Sequence, residues 1–198
     1  MSEYGLERAL TDADGDLGLR PLPDLVVELL AAVAAPPRLA AHLRAVHDVA
    51  GQLLDWLAGR YPRVAVDGPA VLFGAATHDI GKAVHRAELS GPGSAHEREG
   101  YRLLLSYGVP DHLAAFARDH ARWDGARAAT VESLLVSLAD KVWKGRREAD
   151  LESQLVNRIA EATGESAWSV FAALDDALTA IADKADLRLA YQARHPID

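Results

Sequence analysis

Residues 71–82 read VLFGAATHDIGK, and this stretch decides the fold of the chain. Its first part is apolar on every side, which predicts a buried segment if it is helical. The stretch ends in the pair His78-Asp79 followed by Ile-Gly-Lys. An imidazole and a carboxylate at the end of a buried helix need partners, because burying either group unpaired costs several kcal/mol. A metal ion is one partner that would satisfy both side chains at once.

The setting of this pair distinguishes it from the second His-Asp pair of the chain, His47-Asp48. The pair His78-Asp79 follows an apolar segment that is predicted to be helical, and Gly81 and Lys82 come shortly after it. Gly81 can take a positive φ and end the helix. Lys82 then places a cation one turn from the pair.

The segment Thr77–Lys82 resembles the central motif of the HD-domain superfamily of metal-dependent phosphohydrolases. That pattern runs His … His-Asp … Asp along an all-helical core. The resemblance covers about residues 38–147. It implies a metal site in which the central pair is joined by a histidine from an earlier helix and an aspartate from a later one.

The amino-acid composition limits the classes of protein to which this chain can belong. The 198 residues, 49% of them hydrophobic, suffice for one domain with a substantial core. The net charge of −8 argues against a nucleic-acid polymer as partner, because such surfaces normally carry a basic patch. The absence of cysteine excludes thiolate metal sites and disulfides. No apolar stretch approaches the roughly 18 residues of a membrane span, and no signal-peptide pattern begins the chain. We therefore expect a cytoplasmic protein without a membrane partner; its oligomeric state stays open.

Helical periodicity runs through the sequence, and no segment of useful length alternates as a strand does. The prediction is an all-α fold, a single HD-type helical bundle of about seven to eight helices. Residues 1–23 are expected to be an irregular N-terminal segment and residues 24–198 the helical domain. The motif region is then 38–147, and the C-terminal helices occupy 150–195. The last helix should bury one stripe, which consists of Trp168, Phe171, Leu174, Leu178, Ile181 and Ala185.

The first histidine of the pattern should lie on a helix over about residues 38–59. Apolar residues at helical spacing predict its buried stripe, and His42 and His47 flank this stripe on opposite sides. Periodicity therefore does not choose between them. The resemblance favours His42, because the superfamily usually has its first histidine four residues before an inward-facing valine, which here is Val46.

Two further histidines can join the site. Ser94 and Glu97 have the spacing of a capping box, which places His96 in the first turn of a helix, where the helix dipole disfavours its protonation. The segment from Asp119 to Gly125 resembles the His-His-Glu…Asp-Gly segment of the HD-GYP branch, and the residue that carries over is His120. Asp119 and Ala121 depart from that pattern, and no Gly-Tyr-Pro follows. These departures argue against cyclic di-GMP as the substrate and against three metal ions.

The final aspartate of the pattern should be Asp140, on a helix over residues 130–145. This helix is apolar on two faces, which predicts that it is buried, and an isolated carboxylate there is costly. Ala139-Asp140 resembles the last ligand position of the superfamily. Basic residues follow it, and Lys144 lies four residues on, on the same side of the helix.

The resemblance thus implies a ligand set that mixes imidazoles with carboxylates. Such a set suits two divalent ions, most readily Fe or Mn, with Mg, Zn or Ni possible and calcium disfavoured. Asp79, the aspartate of the central pair, would bridge the two ions. The expected metal ligands are His42, His78, Asp79, His96, His120 and Asp140.

The predicted function is hydrolysis of a phosphate ester or anhydride, in a nucleotide or another small phosphorylated metabolite. Asp79 and Lys82 are the predicted catalytic residues, and Lys82, Lys144 and Arg122 are expected to bind the substrate. Two alternatives remain at this level. One is a di-iron oxygenase of the same superfamily, and the other is a non-catalytic module that binds metal or nucleotide.

Overall fold

The computed structural model of the chain describes residues 3–12, 17–123 and 129–197. These residues contain helices and no strand, so the all-α prediction is confirmed. They form ten α-helices, two more than the upper end of the prediction. The helices are α1 Glu3–Thr11, α2 Asp24–Ala32, α3 Pro37–Arg60, α4 Gly68–Thr77, α5 Ala95–Ser106, α6 Asp111–Asp119, α7 Val131–Val142, α8 Ala149–Thr163, α9 Ala167–Ala182 and α10 Ala185–Ala193.

Helix α1 lies in the segment that was predicted to be irregular, and that prediction is wrong for Glu3–Thr11. The helix packs against α3. Ala9 is fully buried, and its carbonyl accepts a hydrogen bond of 2.6 Å from the hydroxyl of Tyr191 on α10. The few apolar residues of α1 recur at helical spacing, but the polar residues around them obscured this pattern in the sequence. Residues 13–16 of the same predicted segment lie outside the described residues.

The last predicted helix ends at Ala182 in the structure, and a separate helix, α10, follows it. The predicted stripe is correct for Leu174, Leu178 and Ile181, which are buried, but wrong for its two aromatic residues. Trp168 is 76% exposed and Phe171 40% exposed, and their rings stack on each other. Val170, which lies between these two residues in the sequence, is fully buried. The buried face of α9 therefore includes Val170 in place of Trp168 and Phe171.

The long helix α3 is the centre of the packing. It contacts α1, α4, α7, α9 and α10, and it supplies residues to both hydrophobic cores. One core joins its second half to α7, α8 and α9, and the other joins its first half to α1, α2 and α4. A helix surrounded in this way is buried on most of its circumference, which explains how both His42 and His47 come to be buried.

Helix α4 is short and packs closely. Asp67 caps it by accepting a hydrogen bond of 3.0 Å from the amide of Ala70. Gly74 permits the contact with α6, because a Cβ atom there would lie 2.6 Å from the ring of Phe116. The helix therefore lies deep between α3, α6 and α7 and carries the His-Asp pair at its C-terminal end.

A 3₁₀ helix, Ile80–Ala83, follows the pair and packs against α5. Gly81 lies in it, and the expected positive φ is wrong for this residue. The glycine is needed for another reason, since a Cβ atom there would lie 2.1 Å from the carbonyl oxygen of His96. Close backbone contact at Gly81 thus holds the first turn of α5 beside the His-Asp pair. A second 3₁₀ helix, Arg86–Leu89, lies between Ile80–Ala83 and α5 in the chain.

Among the described helices, none combines the length and the apolar character that a membrane span requires.

Candidate metal centre

The pair at the end of α4 is built so that its reactive atoms point inward. His78 is fully buried, and its Nδ1 lies 2.9 Å from the carbonyl oxygen of Ala75. A carbonyl can only accept a hydrogen bond, so Nδ1 of His78 carries a proton and Nε2 is the nitrogen that faces Asp79 and Asp140. His120 repeats this arrangement one turn after Ala117, with Nδ1 at 3.1 Å from that carbonyl. Both imidazoles are therefore held as ligands through Nε2.

The first group of ligand atoms, here called cluster A, consists of His42, His78, Asp79 and Asp140. The Nε2 atom of His42 lies 3.2 Å from Oδ2 of Asp79 and 3.4 Å from Nε2 of His78. The Nε2 atom of His78 lies 3.4 Å from Oδ1 of Asp140. All four ligand atoms lie within 4.8 Å of one another. One ion at about 2.0–2.2 Å from each atom would fit such a group.

The second group, here called cluster B, consists of Asp79, His96 and His120. Oδ1 of Asp79 lies 3.0 Å from Nε2 of His96 and 3.6 Å from Nε2 of His120. Asp79 thus presents Oδ2 to cluster A and Oδ1 to cluster B. The structure brings all six sequence-predicted ligands together, with Asp79 in the shared position.

Unsatisfied buried atoms support metal binding at this centre. Oδ1 of Asp79 and Nε2 of His96 are buried and make no hydrogen bond with the described residues. Buried polar atoms without a partner are rare in folded proteins, and a cation between these two would satisfy both. The donor atoms are imidazole nitrogens and carboxylate oxygens, which suit divalent transition metals. The residues therefore fit divalent ions.

The carboxylates set the protonation of the surrounding imidazoles. Burial by itself lowers the pKa of His78, but Asp79 and Asp140 outweigh it and raise the pKa to about 9. Burial and the neighbouring His78 lower the pKa of His120 to about 4. Burial also lowers the pKa of His42. His42 and His120 are thus neutral near pH 7, whereas His78 holds a proton that a metal ion would have to displace.

We expect metal binding to release protons and to strengthen with pH. Protonated His78 stabilises the metal-free fold fully below about pH 6.5, its ordinary pKa, and this contribution is lost as pH rises through about 9. A metal ion needs the neutral imidazole, so its affinity should rise by up to about tenfold per pH unit below pH 9 for each proton released. Titration calorimetry with Mn²⁺ near pH 7, in buffers of different ionisation enthalpy, measures this release. Binding heats that are independent of the buffer would contradict the expectation.

The predicted substrate-binding cations occupy different surroundings. Nζ of Lys82 lies 2.6 Å from Oδ2 of Asp79, inside the site. Arg122 pairs with Glu97 at 3.0 Å. Lys144 is exposed, with its ammonium 6.0 Å from the centroid of the Trp143 ring.

The cation that the structure places on Asp140 is Lys141, whose Nζ lies 2.7 Å from Oδ2. Helical spacing pointed to Lys144, four residues on, and gave no signal for the adjacent residue. The substrate-binding roles of Lys82, Lys144 and Arg122 stay predictions.

Glu88 is a further residue of the site that the sequence did not reveal. Its carboxylate lies 2.5 Å from Nδ1 of His96 and accepts hydrogen bonds from the amides of Ala95 and His96. The predicted capping box is therefore wrong, because the side chain of Ser94 makes no capping hydrogen bond within the described structure. Glu97 instead contacts Arg122. Glu88 lies in the 3₁₀ helix Arg86–Leu89, in a stretch whose sequence showed no helical pattern to draw attention to it.

The charge state of His96 also differs from the prediction. The start of a helix was expected to disfavour its protonation. Burial does lower the pKa of His96, but Asp79 and Glu88 outweigh burial, so the pKa is raised. The two carboxylates on opposite sides of the ring dominate over the helix dipole.

The second His-Asp pair of the chain lies outside both clusters. His47 is buried, and its Nδ1 lies 3.1 Å from the carbonyl oxygen of Leu72. Asp48 accepts hydrogen bonds from the side chain of Gln52 and the backbone of Arg20. This pair connects α3 to its neighbours, and the structure places His42 in cluster A, as the sequence resemblance favoured.

A cavity of about 500 Å³ lies beside the centre, between α6 and α7. Its wall includes His120 of cluster B and the aromatic rings of Phe116 and Trp123. The ring of Trp123 also lies 5.5 Å from Nζ of Lys141, which contacts Asp140. The cavity therefore adjoins cluster B through His120. Asp124 and Gly125, at the end of the segment that resembles the HD-GYP branch, lie outside the described residues.

An all-helical domain with four buried histidines and two buried aspartates in adjoining clusters fits a metal-binding site of the HD type. The family model of the HD domain matches residues 39–143, which is slightly more than half of the chain and includes all six cluster residues. The chain belongs to the HD domain family. Comparisons with curated proteins and with solved structures give no match.

Proposed function

We propose that this protein is a metal-dependent phosphohydrolase that cleaves a phosphate ester or anhydride of a small molecule, a nucleotide or another phosphorylated metabolite. The observation that carries the proposal is the arrangement around Asp79, whose two oxygens face two separate groups of imidazoles. Fe or Mn are the ions that the donor set suits best, with Mg, Zn or Ni as further candidates.

Two divalent ions at such a centre would supply Lewis acidity and an activated water near neutral pH. The residues of this chain divide the remaining work. Asp79 holds both positions at a fixed separation, and Asp140 completes cluster A. Lys82 and Lys141 each place an ammonium group next to one of these carboxylates. Their positive charges are positioned to attract a phosphate group and to neutralise its oxygens.

The cavity between α6 and α7 is a suitable place for the organic part of the substrate. Its volume of about 500 Å³ lies in the range of small-molecule sites, roughly 300–1,000 Å³. Hydroxyl side chains of α7 and the rings of Phe116 and Trp123 line it. Arg122 reaches the same cavity, which supports its proposed contact with the substrate.

Phosphate release under anaerobic conditions tests the proposed reaction. Hydrolysis needs Lewis acidity alone, so Mn²⁺ should support it without oxygen. We expect the chelator-treated chain reloaded with Mn²⁺ to release phosphate from at least one compound in a panel of nucleotides and phosphomonoesters. The same chain kept metal-free is the control. Turnover that appears with iron alone and consumes oxygen would show a di-iron oxygenase instead, and metal binding without any turnover would show a binding module.

Lys82→Ala should lower hydrolysis and leave the metal content intact. Removing one charge-assisted contact to phosphate costs about 1.5–3 kcal/mol, so kcat/KM should fall about 10- to 100-fold. Since Lys82 also pairs with Asp79, metal affinity should stay equal or rise slightly. Steady-state kinetics and metal analysis measure the two effects. Lys184→Ala is the matched control, because this lysine lies between α9 and α10 and is exposed. An unchanged kcat/KM in Lys82→Ala would assign the lysine a purely structural role.

A further inference from the structure

The cluster histidines differ in how their rings are held. His78 and His120 donate through Nδ1 to carbonyl oxygens three residues earlier in the chain, so each is oriented by its own helix. His96 of cluster B is different. Its Nδ1 faces the carboxylate of Glu88, which comes from the separate 3₁₀ helix Arg86–Leu89. In the described structure, His96 is the cluster histidine that relies on a side chain from another segment.

Glu88 is fixed tightly enough to impose an orientation on that ring. One carboxylate oxygen accepts the amide hydrogen of Ala95 at 3.1 Å, and the other accepts the amide hydrogen of His96 at 3.2 Å. The second oxygen also lies 2.5 Å from Nδ1 of His96. Glu88 therefore holds both the backbone and the ring of His96, and this leaves Nε2 3.0 Å from Oδ1 of Asp79.

Gly93 provides the space for this carboxylate. A Cβ atom at Gly93 would lie 2.5 Å from Cδ of Glu88, a distance that no side chain tolerates. The loop before α5 is thus shaped around Glu88, and any side chain at position 93 would displace the carboxylate from His96. Gly93→Ala consequently disturbs the contact without removing a charge, and it also strains the backbone, because φ at Gly93 is +159°.

The number of ligands makes cluster B the more dependent position. Cluster A has four ligand residues, whereas cluster B has three, one of which is the shared Asp79. A position with fewer ligands loses a larger share of its binding free energy when one ring is misoriented. Hydrogen bonds to the remote nitrogen of a ligating histidine fix its orientation and raise its basicity, and their loss typically costs about 10- to 100-fold in metal affinity.

We propose that Glu88 is the positioning residue that controls occupancy of cluster B, and that cluster A keeps its ion without it. This inference rests on the proposed metal-dependent function. It adds that the two metal positions differ in how firmly they hold their ions. Cluster A is the permanent position. Cluster B is the exchangeable one, filled when Glu88 holds His96 toward Asp79.

Titration of the full chain with Mn²⁺ after chelator treatment tests this order. We expect the wild type to bind two Mn²⁺ per chain and to show the electron paramagnetic resonance signature of a coupled pair. Glu88→Gln and Glu88→Ala should bind the first ion with unchanged affinity and the second about 10- to 100-fold more weakly, so that at two equivalents of Mn²⁺ the signature of a coupled pair is strong in the wild type and largely lost in the variants. Gly93→Ala should reproduce this pattern. Glu99→Gln is the matched control, because it removes an acidic charge from α5, the helix that carries His96, and should bind both ions like the wild type.

Three results would overturn the inference. The Glu88 variants could bind both ions as the wild type does, they could lose both ions together with a lowered Tm of the metal-free chain, or the wild type could bind fewer than two ions. The middle result would mean that Glu88 merely stabilises the fold. A different failure concerns the proposed function. If the wild type binds two ions and hydrolyses no phosphate compound, the hydrolase proposal fails while the role of Glu88 in metal binding stands.

Discussion

Replacing Asp79 with alanine is expected to empty both metal positions and to abolish hydrolysis. Asp79 is buried, and it supplies Oδ2 to cluster A and Oδ1 to cluster B. The imidazoles around it, led by His78, hold its pKa well below the ordinary range even though burial alone would raise it. The carboxylate is therefore charged near neutral pH. Its removal takes one ligand from each cluster and the negative charge that both ions share.

Metal analysis and phosphate release on the same preparation measure this effect. Loss of a shared ligand should exceed the about 10- to 100-fold penalty for losing a residue that only orients a ligand. We expect less than one ion per chain in Asp79→Ala at metal concentrations that saturate the wild type. Asp79→Asn keeps the shape of the side chain. Its circular dichroism spectrum checks that the fold survives the loss of the carboxylate.

Asp119→Ala is the matched control for Asp79. This aspartate adjoins His120, but its carboxylate pairs with Arg118 on the surface. It should retain both ions. Full metal occupancy in Asp79→Ala would show that the central assignment is wrong.

The second large effect separates the two histidines of α3. His42→Ala should lose the ion of cluster A, because Nε2 of His42 lies 3.2 Å from Asp79 and 3.4 Å from His78. Turnover should fall with it, since phosphate hydrolysis at this centre is proposed to need both positions. His42→Gln, which fills more of the same space, should show the same loss of metal.

His47→Ala should give the opposite pattern. His47 is buried and contacts the carbonyl oxygen of Leu72, so its removal loses this contact and the packing of a buried ring. We expect a loss of about 1–3 kcal/mol in the free energy of unfolding with unchanged metal stoichiometry. Thermal unfolding and metal analysis of both variants make the comparison. Loss of metal in His47→Ala with retention in His42→Ala would reverse the assignment.

Local sequence determined the parts of the site that depend on one helix. The apolar run before His78-Asp79 predicts a buried helix, and the structure places the pair at the end of buried α4. The two apolar faces of the helix around Asp140 likewise predict burial, which the structure confirms. These features are readable because side-chain direction within a helix follows from spacing along the chain.

The N- and C-terminal helices show where such patterns become insufficient. Leu6, Ala9 and Leu10 have helical spacing, but the segment is short and polar elsewhere, and α1 went unpredicted. Trp168 fits a helical stripe and is nevertheless exposed. Spacing defines a face of a helix, whereas the neighbouring helices determine which part of that face is covered. Burial at the edge of a stripe is therefore a property of the packing.

The composition of the metal centre was decided by tertiary structure. His42 and His78 are separated by 36 residues, and periodicity alone left His42 and His47 equivalent. Glu88 joined the site without any signal in spacing, because its contact with His96 depends on how the 3₁₀ helix Arg86–Leu89 meets α5. The sequence by itself determined a buried His-Asp pair on an all-helical chain. The packing of α3, α5 and α7 around α4 decided which distant side chains meet that pair, since contacts between segments arise from the fold and leave no periodic trace within any one of them.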